Sequence, residues 1–409
     1  MKRREFIAGT AALPAAAAPA DLSLQCRKDF PRAQNETYFN SAAQHPLGNH
    51  TVRGIQKYIE FLHLGPGDGR RDFWEHGFRE VKPMFAKLIN VKPSEVALTP
   101  STTIGENILL NGMDLSGGNV VTNDLHYSAS LANYLERKRL GLDVRIVKHR
   151  DWRIDVKDME RAVNRKTKLI AVSLVSSVNG HLENIKALSD LAHANGAYLF
   201  ADIIQGCGAI PIDVKAMGID MASCAMYKWL QGEHGFGFLY VREDLIGGVV
   251  KPTQFSGNPD LNYDPWTKTP KPGAPDFINH AATGIGGLEP GTPSVITYAA
   301  QYESFQYIEK LGVTNIRAHA RRLTDRLQKE LPPLGYTSVT PPGAESPIVT
   351  FLCKDAEVVR RKIRSSKAKI LLTGPNSALT VGRFGNHIRF SVSVFNNDQD
   401  INTILEVLA

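Results

Sequence analysis

This sequence predicts an α/β fold built on a mainly parallel sheet, with a smaller α/β domain after it, and two observations carry that reading. Short apolar runs alternate with helix-length amphipathic patterns from Val96 to Val241, the mark of βαβ units whose crossovers impose parallel pairing. Beyond Pro293 the order changes to helices first and short strands afterwards, which marks a separate, smaller layer.

Taken in order, the apolar residues Phe73, Trp74, Phe78, Val81, Phe85, Leu88 and Ile89 recur at three- and four-residue steps, so Arg71 to Ile89 reads as an amphipathic helix kinked at Pro83. Val96 to Thr99 is a strand, followed by a helix from about Ile104, a strand at Val120 to Thr122, and a helix through Arg139. Leu169 to Ser177 is a buried-strand run, Ile185 to Asn195 a helix stopped at Gly196, and Ala197 to Ile203 the next strand. Met221 to Tyr227 and Phe236 to Val241 add two more. The stretch from Lys251 to Pro293 is rich in Pro, Gly and Asn without periodicity and reads as a long functional or connecting loop. Helices then follow at Ser294 to Leu311 and Ile316 to Leu331, strands at Ile348 to Leu352, Lys369 to Leu372 and Ile388 to Val392, and a last helix at Asp400 to Leu408.

Composition sets the outer bounds. A chain of 409 residues, 43% hydrophobic and 22% charged, has ample core and is neither disordered nor a membrane bundle. Part of its net charge of +7 sits in Lys2, Arg3 and Arg4, and no Lys/Arg run interleaved with aromatics suggests a nucleic-acid partner. Cys26, Cys207, Cys224 and Cys353 lie far apart, with no metal-ligand spacing and no disulfide framework.

The N-terminus reads as an export signal over residues 1–20. Lys2-Arg3-Arg4-Glu5-Phe6 leads into a small-residue apolar stretch closing at Ala18-Pro19-Ala20. The paired arginines resemble a twin-arginine signal, so the expected partner is the twin-arginine export machinery and the expected location is periplasmic or secreted. If the segment is only a basic tail, the protein is cytoplasmic. No later segment has the roughly 20 apolar residues that span a bilayer, so no membrane association is expected after cleavage.

In an open α/β sheet, ligands sit beyond the carboxyl ends of the strands. Ser177, Asp202 and Lys228 fall at such ends. Ser101, Thr102 and Thr103 leave a strand and open a helix, where hydroxyls, free N–H groups and the helix dipole favour a phosphate. A phosphate seat, a lysine amine and a carboxylate are what pyridoxal 5'-phosphate (PLP) requires. Its aldehyde takes an amine, and its pyridine nitrogen needs an acid to stay protonated.

Those residues, with Tyr38-Phe39-Asn40-Ser41-Ala42-Ala43, Ala201-Asp202-Ile203-Ile204-Gln205, Tyr227-Lys228-Trp229, Glu289-Pro290-Gly291-Thr292-Pro293, Arg389-Phe390-Ser391 and Phe395-Asn396, resemble the class V aminotransferase family of fold type I PLP-dependent enzymes. That family includes cysteine desulfurases, kynureninases and isopenicillin N epimerase. The resemblance spans nearly the whole chain after residue 20. It implies a large PLP-binding domain over 61–292 with a seven-stranded sheet, a small domain over 293–409, and an N-terminal segment, 21–60, packed with the small domain.

It further implies that Lys228 forms the Schiff base and moves protons at the substrate carbon, and that Asp202 pairs with the pyridine nitrogen. Ser101 and Thr102, or Thr102 and Thr103, would hold the phosphate, with Tyr227 adding a contact. His126 would stack on the ring, with Tyr127 an equally suitable partner. Gln205 would reach the ring hydroxyl or the Schiff base, Thr292 the phosphate of a neighbouring subunit in a homodimer, and Arg389 the carboxylate of an amino-acid-like substrate.

Departures from the family pattern bear on the reaction. Ser177 stands where Asn is frequent, which puts its contact to the ring oxygen in doubt. The segment Leu372 to His387 contains no cysteine, and Cys353 reads as a buried structural thiol on a strand, so cysteine desulfurase is disfavoured. Aminotransferase is the broadest expectation, with an isopenicillin N epimerase type of racemisation or a kynureninase-like lyase behind it. A nucleotide-dependent dehydrogenase needs GxGxxG after an early strand, which Gly284-Ile285-Gly286-Gly287-Leu288-Glu289 does not supply. A non-catalytic exported binding protein would require a Lys228 that does not bond PLP.

Overall fold

A computed structural model describes residues 21–65, 79–254, 260–261, 272–273, 277–278, 284–374 and 385–409. Residues 1–20, read above as an export signal, the first part of the helix expected from Arg71, and most of the stretch between Lys251 and Pro293 lie outside the described residues.

The strands in chain order are β1 (Thr37–Phe39), β2 (Val96–Thr99), β3 (Asn119–Asn123), β4 (Asp143–Val147), β5 (Thr167–Ser173), β6 (Tyr198–Asp202), β7 (Met221–Ala225) and β8 (Gly237–Val241), then the two-residue pair β9 (Asp260–Leu261) and β10 (Phe277–Ile278), and finally β11 (Thr337–Ser338), β12 (Ile348–Leu352), β13 (Ile370–Leu372) and β14 (His387–Ser391). Seven of them form one sheet in the order β2-β8-β7-β6-β5-β3-β4. All run parallel except β8, which is antiparallel to both β7 and β2. No helix-length segment separates Ala225 from Gly237, so the chain has to return antiparallel there. β7 and β8 are buried along their whole length, as strands covered on both faces must be.

The helix Thr102–Gly112 starts directly after β2, with Ser101 as its N-cap accepting from the Ile104 N–H at 3.2 Å. Helix Ile185–Ala194 is capped by Asn184 and joins β5 to β6 by the expected crossover. Helix Val295–Leu311 packs along helix Asn49–Leu64, and Gly54 permits the approach, since a Cβ there would lie 2.4 Å from the Ala299 carbonyl oxygen.

A second sheet, β11-β12-β14, is antiparallel. β1 pairs parallel with β13, and Asn40 bridges to Ser391, so the N-terminal segment extends the C-terminal layer. A separate hydrophobic cluster that includes Phe351, Phe390, Ile401 and Ile404 fills that layer.

Several sequence expectations change. The strand expected over Leu169 to Ser177 ends at Ser173, because the chain then turns through Ser176 to Gly180, with the Gly180 N–H on the Ser176 carbonyl at 2.9 Å. Ser177 therefore sits on a turn beyond the strand. Likewise β7 ends at Ala225, leaving Tyr227 and Lys228 on the connection to β8. Cys353 lies one residue past β12, and the last helix begins at Asp398, where Asn397 forms a capping box with Asp400. Strand β4 and the helices Asn49–Leu64 and Val156–Ala162 have no counterpart in the sequence reading. β4 is an edge strand with only Val144 fully buried, too weak an apolar pattern to announce itself.

Candidate active site

At the carboxyl ends of β5, β6 and β7 the polar groups converge on a cavity of about 830 Å³. His126, Tyr127, Ser177, Gln205, Tyr227, Lys228 and Arg389 line it, beside Ala42, Ala43 and Thr373. The large sheet supplies the lysine, the N-terminal segment the alanines, and β14 the arginine, so the site exists only where the two layers meet.

Lys228 is 5% exposed. Burial pulls its amine from an ordinary 10.5 to about 8, against the opposing pull of Asp202, with Arg389 pushing the same way as burial. Its Nζ lies 5.6 Å from the ring centroids of both Tyr127 and Tyr227. Asp202 ends β6, and its Oδ1 accepts from the Ile204 N–H at 3.0 Å. Burial raises its carboxyl, opposed by His126, that N–H and Lys228. A cationic ring nitrogen is the kind of partner such an acid lacks.

His126 is buried, with Nδ1 at 2.8 Å from the Ser173 hydroxyl and Nε2 at 3.5 Å from Glu106. Gln205 does not face solvent; its Oε1 accepts from the Trp229 indole at 3.1 Å and its Nε2 donates to the Ala42 carbonyl at 3.0 Å. Tyr227 stacks on His234 with centroids 3.9 Å apart.

Arg389 reaches the cavity from β14. One guanidinium nitrogen donates to the Ser177 carbonyl at 2.5 Å and another to the Thr373 hydroxyl at 2.9 Å. Burial lowers its pKa to about 10, an effect Tyr127 opposes, and the group stays cationic at neutral pH. Ser177 thus contributes its backbone oxygen to the arginine.

Ser101, Thr102 and Thr103 sit at the start of helix Thr102–Gly112 and are not among the residues that line the cavity. The Thr102 hydroxyl accepts from the Ala225 N–H at 2.9 Å, which ties this helix start to the strand leading to Lys228 and leaves the hydroxyl proton to donate. Thr292 is exposed and lies in a separate recess of about 160 Å³ with Leu98, Thr99 and Pro100. The structure does not bring it into the main cavity of its own chain.

Glu106 belongs to no motif in the sequence, where it follows Ile104-Gly105 in an apolar helix. Its carboxylate is fully buried and accepts from the Ser130 hydroxyl at 2.5 Å and the Tyr134 hydroxyl at 2.7 Å. A charged residue inside an apolar helical stripe is the one signal that points to it. Asp124 and His387, also on the cavity wall, carry none.

These residues fit PLP: a buried amine and a buried acid that act on one another, hydroxyls at a helix start, and an arginine facing the same space. The aminotransferase class-V family model matches residues 37–404. A probable cysteine desulfurase of Methanothermobacter thermautotrophicus is 24% identical over 93% of this chain and 96% of its own. An uncharacterized aminotransferase of Schizosaccharomyces pombe is 26% identical over 93% of this chain and 94% of its own. Among solved structures, the apo cysteine desulfurase of Thermococcus onnurineus NA1 superposes with a TM-score of 0.78 at 21% identity, covering 94% of this chain and 96% of that one. The cystine C–S lyase C-DES, in complex with its product cysteine persulfide, superposes equally well at 20% identity, covering 93% and 98%. The chain belongs to the class V aminotransferase family, with the fold type I architecture and pyridoxal phosphate as its cofactor.

Proposed function

We propose that this protein is an aminotransferase acting on a small amino-acid-like substrate, with Lys228 as the residue that bonds the cofactor. The observation that carries the reading is the shared cavity: Lys228 and Arg389 face one space, and the buried Asp202 carboxylate acts on the Lys228 amine. Pyridoxal phosphate supplies an electron sink for the charge left when a bond to the substrate carbon breaks.

The chain's own groups do the rest. Asp202 would keep a proton on the pyridine nitrogen, Ser101, Thr102 and Thr103 would hold the phosphate together with Tyr227, and His126 would pack against the ring. Gln205 has its carbonyl oxygen on the Trp229 indole and one amide hydrogen on the Ala42 carbonyl, so its second amide hydrogen is the one that would reach the cofactor. Arg389 takes the substrate carboxylate, a match for two parallel charge-assisted bonds. Lys228, with a pKa near 8, then takes the α-proton and returns it close to neutral pH.

Sulfur transfer to a protein thiol is not favoured by this site. All four cysteines are buried, and no cysteine is among the described residues lining the cavity. Burial raises the Cys353 thiol, and its Sγ donates to the Asn386 carbonyl at 3.2 Å. Cys353→Ala is expected to leave turnover unchanged.

The deciding experiment mixes holoenzyme with single amino acids and follows the visible band. Conversion to the amine form of the cofactor, reversed by a 2-oxo acid, is the expected result. Exchange of the α-hydrogen with inversion and no amine form would make the enzyme an epimerase, and release of a β-fragment would make it a lyase. We extend the reading to a homodimer in which Thr292 meets the phosphate of the second subunit, checked by light scattering and a Thr292→Ala variant with weakened cofactor affinity. Export through the twin-arginine route rests on Arg3 and Arg4, and replacing both with Lys should retain the protein in the cytoplasm.

A further inference from the structure

Against His126 lies a closed, buried polar cluster that the proposed reaction does not use. Glu106 is 0% exposed and sits on the helix whose first turn is the candidate phosphate seat. Its Oε2 accepts from Ser130 and its Oε1 from Tyr134, both on helix Ser128–Arg139. Burial alone would raise its carboxyl, yet the imidazole of His126 and the two hydroxyls together hold it below the ordinary value. Tyr134, pushed far up by burial and by Glu106, keeps its proton and donates it to the carboxylate.

We propose that Glu106 is a positioning residue that fixes the proton of His126 on Nε2 and adds a second negative charge beneath the cofactor ring. The inference rests on the reading that the cofactor sits against His126. With Ser130 and Tyr134 donating, the carboxylate presents an anionic oxygen 3.5 Å from Nε2. That is beyond an ordinary N–H···O bond, so the attraction is mainly one of charge. A lone pair on Nε2 would be repelled there, whereas an N–H is attracted. On the other side of the ring, Nδ1 meets the Ser173 hydroxyl at 2.8 Å, which can donate to it.

The groups facing His126 are therefore Glu106 from one helix, Tyr134 from the next, Ser173 from β5 and Asp202 from β6. Glu106 also acts on Asp202 directly, opposing its ionisation. Two carboxylates flanking one imidazole make the space under the ring more negative than Asp202 alone would, and this favours a protonated pyridine nitrogen.

The test compares wild type with Glu106→Gln and Glu106→Asp. In cofactor-free protein, long-range ¹H–¹⁵N spectra of His126 should show an Nε2-protonated ring in wild type and in Glu106→Asp, and a tautomer mixture in Glu106→Gln. In holoenzyme, the pH midpoint of the visible band should fall by roughly half to one unit in Glu106→Gln, since a stabilising charge is lost. It should recover in Glu106→Asp. kcat should drop about tenfold while KM stays within about twofold. Should Glu106→Gln fail to fold, Tyr134→Phe strips one donor from the Glu106 carboxylate and leaves its charge less neutralised, so the midpoint should rise by about a few tenths of a unit, opposite to Glu106→Gln. Unchanged His126 resonances and an unchanged midpoint would overturn the proposal. A wild type that takes up no cofactor would sink the cofactor reading instead, while the His126 spectra of the cofactor-free protein would still decide whether Glu106 sets the tautomer.

Discussion

The Arg389 guanidinium donates to the Ser177 backbone carbonyl at 2.5 Å, joining the β14 edge of the C-terminal layer to the turn that follows β5. A second guanidinium nitrogen is held by Thr373 at 2.9 Å, so the group is aimed before any substrate arrives. Arg389→Lys keeps the charge and loses the fork. It is expected to raise KM for an amino-acid substrate about tenfold or more with a smaller change in kcat, measured by steady-state kinetics. An unaltered KM would remove Arg389 from carboxylate binding.

Asp202 is 2% exposed, so solvent does not stand in for its carboxylate once that is removed. Asp202→Asn should preserve cofactor uptake and lower kcat by about 10² to 10³, the usual loss when one fixed electrostatic partner is removed. The visible spectrum reports uptake and single-turnover kinetics the loss. Equal rates would place the acid elsewhere.

Lys228→Ala should abolish borohydride fixation of the cofactor and slow proton transfer at the substrate carbon by about 10² to 10⁴. The lysine also carries a stability signature in cofactor-free protein. Its folded pKa, about 8 against an ordinary 10.5, means that unfolding takes up a proton between those values, so this residue's contribution rises with pH through that window. Relative to Lys228→Met, wild type should gain up to about 3 kcal/mol between about pH 7.5 and about pH 10.5. Urea titrations of both proteins at both pH values measure the difference, and parallel curves would show that the amine is not perturbed.

Gly180 has φ +73°, and a Cβ there would stand 2.1 Å from the Ile348 carbonyl oxygen. Gly180→Ala combines a disfavoured backbone with a clash against β12 and should cost about 3 kcal/mol of stability. The neighbouring Asn179 and Thr350 contacts to this turn make relief by local movement difficult. Because the turn also carries Ser177, KM should rise with the loss of stability. Thermal melting and kinetics on one preparation check both.

The amino-acid sequence by itself determined the alternation of strands and helices between Val96 and Val241, because burial on both sheet faces writes long apolar runs. It also offered the residue types that the proposed chemistry needs, since an amine, an acid and a row of hydroxyls at strand ends are local features. Tertiary structure alone decided how those ends meet. The weakly apolar edge strand β4, the extension of the C-terminal layer by β1, and the reversal after Ser173 that hands the Ser177 carbonyl to Arg389 all depend on partners distant in the chain. Glu106 is decided in the same way. Its spacing is that of any helical glutamate, and only the packing of helix Ser128–Arg139 against helix Thr102–Gly112 surrounds it, where leaving a charge without Ser130, Tyr134 and His126 around it would cost too much to fold.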